Sequence, residues 1–285
     1  MNVDNTKDLT HVSLCTGYGG IDIGLRRIIG SVRTIAYSEI EAYAITNLIA
    51  KMEAGLLDSA PIWPNLKTFP FKEFYNKVDI LSGGFPCQPF SSGGRRKADS
   101  DPRHLFPYIK QGIQQCKPRI VFLENVEGII SSKLKGDEWN DPENTPVLLH
   151  ILRELERVGY QATAGIFSAS ETGAPHQRKR VFIMGISNDL PKSERTRVLA
   201  MLKPITATAY PSGRNEEQYD FEPARVIIEN EPRKPKLNGL AGGVMYGDLS
   251  QSYDSPVDEM RLLGNGVVPD VASTAFKVMW VELCG

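Results

Sequence analysis

Four groups of residues in this 285-residue chain are of types, and at spacings, that can do chemistry. The first is Gly83-Gly84-Phe85-Pro86-Cys87-Gln88-Pro89-Phe90-Ser91, directly after the apolar run Val78-Asp79-Ile80-Leu81. Pro86 fixes its own φ, so Cys87 stands on a stiff turn at the end of a buried strand. A thiolate held there can attack as a nucleophile; the plain alternative is a buried structural cysteine. The second group is Glu124-Asn125-Val126, after the apolar run Ile120-Val121-Phe122-Leu123. The third is Arg178-Lys179-Arg180, immediately before Val181-Phe182-Ile183-Met184. The fourth is Ser13-Leu14-Cys15-Thr16-Gly17-Tyr18-Gly19-Gly20. Glycines in such a turn let the backbone approach a ligand and leave helix N–H groups to meet it. Glu39 lies 22 residues past Gly17, near the offset at which nucleotide-binding sheets place an acid on ribose hydroxyls.

These groups need a scaffold, and the apolar periodicity supplies one. Residues 11–15 and 34–37 read as strands around a helix from Ile21 to Ile29. A helix from Glu41 to Glu53 follows, stopped at Gly55, and then a proline-punctuated loop returns to the strand at Val78. A helix over Leu105–Gln115, a strand over Arg119–Leu123 and a helix over Pro146–Val158 come next. Strands over Gln161–Ser168 and Arg180–Ile186, and a last helix over Pro269–Leu283, complete the pattern. Strands alternating with helices in this order predict an α/β fold with a doubly wound, mostly parallel sheet. Ligands then bind at the carboxyl ends of the strands, where Cys87, Glu124 and the glycine turn all fall. Residues 91–103 hold little that could pack, which predicts a lid or binding loop. Residues 187–258 are rich in Pro, Gly, Asn and charge, which predicts a small, irregular second domain.

Composition narrows the class further. The chain is 41% hydrophobic and 24% charged, as globular proteins are. No apolar run approaches the roughly 18 residues of a membrane span, and the first residues lack the layout of a secretory signal, so a cytoplasmic setting is expected. Cys15, Cys87, Cys116 and Cys284 are far apart and form no Cys-x-x-Cys, so neither a disulfide framework nor a metal site is expected. Net charge is −1, yet a local basic patch matters more to nucleic acid than the sum does. Arg95-Arg96-Lys97 and Arg178-Lys179-Arg180 flank the chemical motifs.

Taken in series, the glycine-rich turn, Pro86-Cys87, Glu124-Asn125-Val126 and Arg178-Lys179-Arg180 resemble the DNA (cytosine-5)-methyltransferase family, in its compact phage or prophage form. The resemblance returns at Leu263-Gly264-Asn265-Gly266-Val267-Val268-Pro269. It implies a Rossmann-like class I methyltransferase domain over residues 1–186 plus 259–285, with residues 187–258 as the target-recognition domain. It implies S-adenosylmethionine as cofactor, held by Cys15, Thr16, Gly17, Tyr18, Gly19, Gly20, Glu39, Ile40, Asn65, Leu66, Gly84, Pro86, Leu105, Asn265 and Gly266. Cys87 would add to C6 of a flipped-out cytosine, Glu124 would serve the ring at N3, and Arg180 would bind the base O2. Arg178 would organise the pocket or orient Glu124. Gln88, Ser91 and Arg103 would touch the DNA. Ser13, Cys15 and Asn65 stand where the family commonly has Asp, Phe and Asp, and a late family motif before Asp258 is not visible.

The implied partner is double-stranded DNA, with the protein acting as a monomer in a bacterial cell or phage-infected host, and a cognate restriction endonuclease would fit such a modification enzyme. Two rival activities use overlapping residues. A tRNA cytosine-5 methyltransferase of the same fold would share the motifs, but the Cys-Phe-Thr tripeptide of that subgroup is absent. A nicotinamide-dependent oxidoreductase would need only Gly17–Gly20 and Glu39, leaving Cys87, Glu124 and the arginines unexplained. A relative that binds DNA without catalysis would have no use for the Cys, Glu and Arg together.

Overall fold

The computed structural model describes residues 8–86, 105–134, 139–174, 176–205 and 265–284. Cys87, Gln88, Ser91 and Arg103, with residues 206–258 of the expected recognition segment, lie outside that set. Strands β1 (Leu9–Leu14), β2 (Val32–Ser38), β3 (Ile62–Trp63), β4 (Ile80–Gly84), β5 (Ile120–Val126), β6 (Tyr160–Ser168) and β7 (Lys179–Ser187) form one sheet. Their order is β3-β2-β1-β4-β5-β7-β6. β7 runs antiparallel to both neighbours, and the other pairs are parallel. The sheet therefore reverses its winding between β1 and β4, and a crevice opens at their carboxyl ends.

Both faces are covered by the helices α1 (Gly20–Ile28), α2 (Ala42–Glu53), α3 (Phe106–Cys116), α4 (Val147–Arg157), α5 (Lys192–Met201) and α6 (Pro269–Cys284). The alternation along β5 shows why its sequence is apolar throughout. Ile120 and Phe122 enter one core with Leu25 of α1 and Phe276 of α6, while Val121 and Leu123 enter the other with Ile109 of α3 and Ile151 of α4. A strand buried on both faces has no polar side to show. At the next position the apolar run stops at Glu124, on the face shared with α1 and α6.

Helix α6 docks on α1 through small residues. A methyl at Gly24 would lie 2.6 Å from the Pro269 carbonyl oxygen, so glycine sets the approach of the two helices. The Ser273 hydroxyl donates to the Gly24 carbonyl at 2.8 Å, and Arg27 pairs with Asp270 at 2.6 Å. This docking lays Asn265–Val267 across the glycine turn. The Tyr18 hydroxyl donates to the Val267 carbonyl, and a methyl at Gly266 would lie 1.7 Å from the Tyr18 ring. Among the described residues no helix is long and apolar enough to cross a membrane.

Two elements depart from the sequence reading. β3 is a two-residue strand inside the proline-punctuated stretch, too short for any periodicity to show. α5 lies in the segment expected to begin the second domain, where only Val198 is buried and no apolar stripe marks a helix. Its packing ties it to α1 and α6. Val198 shares the core of α1 and α6, the Gly30 N–H donates to the Met201 carbonyl at 3.0 Å, and Lys203 N–H donates to Ile28 at 2.8 Å.

Candidate active site

The carboxyl ends of β1, β4 and β5 and the start of α1 enclose a cavity under the segment at 265–267. The turn contributes Cys15, Thr16, Gly17 and Gly20; β4 and β5 contribute Gly84 and Glu124; Asn265 and Gly266 close it from the C-terminal side. Gly17 and Gly19 have φ of +57° and +85°, backbone conformations that glycine adopts without strain. Cys15 also takes a positive φ, 49°. Burial, with the Glu39 carboxylate near, pushes its thiol up and keeps it protonated, so it is not a nucleophile.

Glu124 is 5% exposed and pairs through Oε1 with Arg180 Nε at 2.9 Å. Burial raises its carboxyl from 4.5 to about 7, although Arg180 and Arg178 oppose the rise. At neutral pH it can therefore donate a proton as readily as accept one. Arg180 makes the close ion pair with Glu124. The Arg178 guanidinium instead donates to the Gly266 carbonyl, which links the strand bearing Arg180 to the segment closing the cavity. Burial, with Arg180 beside it, pushes Arg178 below its ordinary value.

Asn125, which the sequence reading gave no separate task, faces the opposite side from Glu124. Its Nδ2 donates to the Phe85 carbonyl at 2.9 Å, and its Oδ1 accepts from Val126 N–H at 2.9 Å. It thereby pins the residue that precedes Pro86 to the end of β5. The Glu-Asn pair thus sets both a carboxyl and the strand end that leads to Pro86-Cys87. A buried amide just after a run of apolar residues was the signal available in the sequence.

Glu39 ends β2 and is 7% exposed. Oε2 accepts from Gly17 N–H at 2.7 Å, while Oε1 accepts from Ile40 and Glu41 N–H at 2.8 and 2.9 Å. The acid therefore clamps the glycine turn as well as offering oxygen to a ligand. Beside it Ile40 is 69% exposed, an apolar surface open among the described residues.

The sequence profile of the C-5 cytosine-specific DNA methylase family matches residues 9–239. The chain belongs to that family. It is 33% identical over 178 residues to the type II methyltransferase M.NlaX of Neisseria lactamica, covering 62% of this chain and 52% of that protein. It is 30% identical over 186 residues to the orphan methyltransferase M.SPRI of Bacillus phage SPR, covering 64% and 39%. The chain thus spans about half or less of the length of these relatives. In fold it is similar to the S. pombe Dnmt2 methyltransferase, with a TM-score of 0.61, 16% identity and coverage of 96% and 99%.

Within this methylase fold, the cofactor-binding residues expected from sequence divide into two sets. Cys15, Thr16, Gly17, Gly20, Gly84, Asn265 and Gly266 line the cavity. Tyr18, Gly19, Glu39, Ile40, Asn65, Leu66, Pro86 and Leu105 do not. Tyr18 is buried against the Lys51 ammonium, 4.8 Å from its ring centre. Leu66 is part of the core, and Leu105 packs on that core at the start of α3. Asn65 is exposed and spends its side-chain oxygen on Lys67 N–H at 3.0 Å, capping a short 3-10 turn. Pro86 is exposed where β4 ends. Asp22, Ser13 and Val267 line the cavity without having been anticipated.

One other cluster has metal-ligand types, Asp141, His150 and Glu154, with ligand atoms within 4.8 Å of one another. Arg153 and Arg157 lie 3.2 and 2.8 Å from Asp141 Oδ1, His150 Nδ1 lies 2.7 Å from Oδ2, and Lys110 and Arg157 pair with Glu154. Cations of the protein already occupy these carboxylates, so the donor set fits an ion-pair network and not a metal.

Proposed function

We propose that this chain is a sequence-specific DNA (cytosine-5)-methyltransferase, acting on a flipped-out cytosine in double-stranded DNA through a covalent adduct of Cys87. The observation that carries the reading is the Glu124–Arg180 pair, buried at the end of β5 beside β4, which leads into Pro86-Cys87, and lining the same cavity as the glycine turn. The residues suit S-adenosylmethionine: the cavity has a glycine turn with close backbone approach and a polar floor, and the buried acid Glu39 stands beside that turn at the end of β2. Thr16, Gly17, Gly20, Gly84, Asn265 and Gly266 would hold it, with Glu39 at the ribose. When bound, it supplies an electrophilic methyl group on a sulfonium.

The chain's own residues then have defined tasks. A base buried in the duplex must be flipped out to reach them. The Cys87 thiolate forms a bond to C6, and the electron pair of the C5–C6 double bond moves into the ring, making C5 nucleophilic. Protonated Glu124 donates to N3, where negative charge develops, and Arg180 donates to O2. Once C5 carries the methyl group, a base such as water takes the C5 proton, the freed electron pair re-forms the C5–C6 double bond, the C6–S bond breaks with its pair leaving on the Cys87 thiolate, and the N3 proton returns to Glu124. Burial of Glu124 is what keeps a proton available at neutral pH.

In this reading residues 206–258 carry target recognition, Gln88, Ser91 and Arg103 meet the DNA, and the protein works as a cytoplasmic monomer. A restriction endonuclease of the same cell is the partner whose cleavage the modification would block. The test is tritium transfer from S-adenosylmethionine to duplex DNA and, separately, to tRNA. Duplex carrying 5-fluorocytosine at the target should trap the wild type as a denaturation-resistant adduct, because fluorine does not leave as a proton does. Cys87→Ala should give neither transfer nor adduct while still binding S-adenosylmethionine. Transfer to tRNA alone would overturn the substrate assignment, and adduct formation by Cys87→Ala would overturn the nucleophile.

A further inference from the structure

The cavity floor holds a carboxylate that the mechanism does not use. Asp22 lies in the first turn of α1 and is 1% exposed. Its Oδ2 accepts from the Ser13 hydroxyl at 2.9 Å, and its Oδ1 accepts from the Thr34 hydroxyl at 3.4 Å. His11 Nδ1 lies 3.5 Å from Oδ1, but burial pushes this imidazole down to about 3, so it is neutral. The hydrogen-bond chain then has one direction. Thr34 gives its proton to Asp22 and accepts from His11 Nδ1 at 2.9 Å, and His11 Nε2 accepts from the Ser82 hydroxyl at 2.8 Å.

Among the described residues the side chains around the Asp22 carboxylate, Ser13, Thr34 and His11, are neutral. Among the described residues no Lys or Arg pairs with it, and the nearby acid Asp58, which accepts from Thr34 N–H at 2.9 Å, adds repulsion. Burial accordingly pushes Asp22 up to about 6. The start of α1, where Asp22 sits in the first turn, offsets only part of that cost. Two ionisable carboxylates line the cavity, Glu124 and Asp22. Glu124 is held by Arg180, so of these two the carboxylate without a cationic partner is Asp22; Glu39, held by three backbone N–H groups, stands outside the lining, at the ribose end.

We propose that Asp22 is the counter-charge for the α-ammonium group of S-adenosylmethionine, with Ser13 fixing the orientation of its carboxylate. The proposal rests on the reading of this cavity as the methyl-donor site. The transferred methyl has to face the base pocket at Glu124 and Gly84, whereas Asp22 and Ser13 lie on the floor under β1 and α1. The ammonium is therefore the cationic group left for Asp22. The neutral network from Ser82 to Thr34 holds the carboxylate without cancelling its charge. Ser13 also accepts from the Thr16 hydroxyl at 3.1 Å, which joins this acid to the glycine turn.

Calorimetry with two ligands tests it. S-adenosylhomocysteine keeps the ammonium and has a neutral sulfur; 5′-methylthioadenosine lacks the amino-acid part altogether. Asp22→Asn should weaken S-adenosylhomocysteine at least tenfold and leave 5′-methylthioadenosine within twofold of wild type. Ser13→Ala should show the same selectivity with a smaller loss. Unchanged S-adenosylhomocysteine binding by Asp22→Asn would overturn the proposal. So would an equal loss of both ligands, which would mark Asp22 as a prop for the fold. Absence of S-adenosylhomocysteine binding by the wild type would overturn the methyl-donor reading itself together with this inference.

Discussion

Glu124 at the end of β5 and Asp141 beside α4 are both buried carboxylates next to arginine side chains, yet the fold drives them in opposite directions. Glu124 meets one guanidinium, Arg180, at 2.9 Å, and burial raises it to about 7. Asp141 meets Arg153, Arg157 and His150 at 3.2, 2.8 and 2.7 Å, and is held well below the usual carboxylate range, first of all by Arg157. Its neighbour Glu154 lies at about 2, because hydrogen bonds from Lys110, Arg157 and Asn140 together outweigh burial. The side chains of Arg153 and Arg157 are 42% and 43% exposed, so they reach inward while remaining partly hydrated. Arg180 is 15% exposed. Saturating a buried acid with hydrated cations makes a permanent anion that ties loop to helix. Supplying one partly desolvated cation leaves a proton that can move. The first arrangement holds structure; the second is the kind that can serve chemistry.

The sharpest way to break this contrast is to remove each acid and measure turnover. Glu124→Ala should lower kcat by about 10²–10⁴, the usual worth of a positioned general acid, with the melting temperature little changed. Asp141→Asn should leave kcat within a few-fold of wild type. If Asp141→Asn lost as much turnover as Glu124→Ala without a drop in melting temperature, the division between building and reacting would fail.

Stability should divide the opposite way. Asp141→Ala leaves His150, Arg153 and Arg157 facing one another without their shared anion and should cost about 3 kcal/mol in urea unfolding. Glu124→Gln should cost little at pH 8, where the wild type carries a buried charge.

The pH dependence gives the two acids opposite signs. The folded value of Glu124 lies above its ordinary 4.5, so its contribution is fully present below 4.5 and is lost as pH rises towards 7. The difference between wild type and Glu124→Gln over that window should approach roughly 3 kcal/mol, from a rise of 4.5 to about 7. Asp141 is depressed, so its stabilisation is present above 3.8 and is lost as pH falls further. Urea midpoints for each variant from pH 3 to 8 check both. Equal slopes for wild type and Glu124→Gln between pH 4.5 and 7 would show that burial does not perturb this acid.

The sheet and most of its helices were legible because their residues alternate or repeat with the periods of buried elements. Val121 and Phe122, pointing to opposite cores, are apolar for that reason. The glycine turn, Glu39 and Glu124 were legible as residue types out of place in apolar surroundings. What escaped was decided by partners distant in sequence. Asp22 reads as an ordinary first-turn acid until Ser13, His11 and Thr34 are seen around it. The resemblance offered Arg178 as the residue to organise the pocket or orient Glu124, whereas the close ion pair with Glu124 is made by Arg180 and Arg178 donates to Gly266. α5 carries almost no apolar signal, and its place follows from one valine and backbone hydrogen bonds to Ile28 and Gly30. Asn65 was expected at the cofactor from the resemblance, but its oxygen is used locally by Lys67.

The smallest expected effect is the most local. Gly84 pairs with Glu124 across β4 and β5, and a methyl added at Gly84 would lie 3.0 Å from Glu124 Oε2. That is closer than an ordinary van der Waals contact, so the carboxyl would have to yield by a few tenths of an ångström. Oε1 is held by Arg180, so the group cannot yield without straining that pair. Displacements of this size at a reacting centre cost rate more than stability. Gly84→Ala should therefore lower kcat about tenfold, leave the melting temperature within a degree or two, and shift the pH at which activity declines, because the Glu124–Arg180 distance sets where the proton sits. The neighbouring Gly83→Ala serves as the comparison: its methyl would lie 3.2 Å from the Leu14 carbonyl and away from Glu124. It should lower stability with no change in the pH profile. If the two variants shifted the profile equally, the proton on Glu124 would be set by general packing of the strands, and the contrast with Asp141 would rest on burial alone.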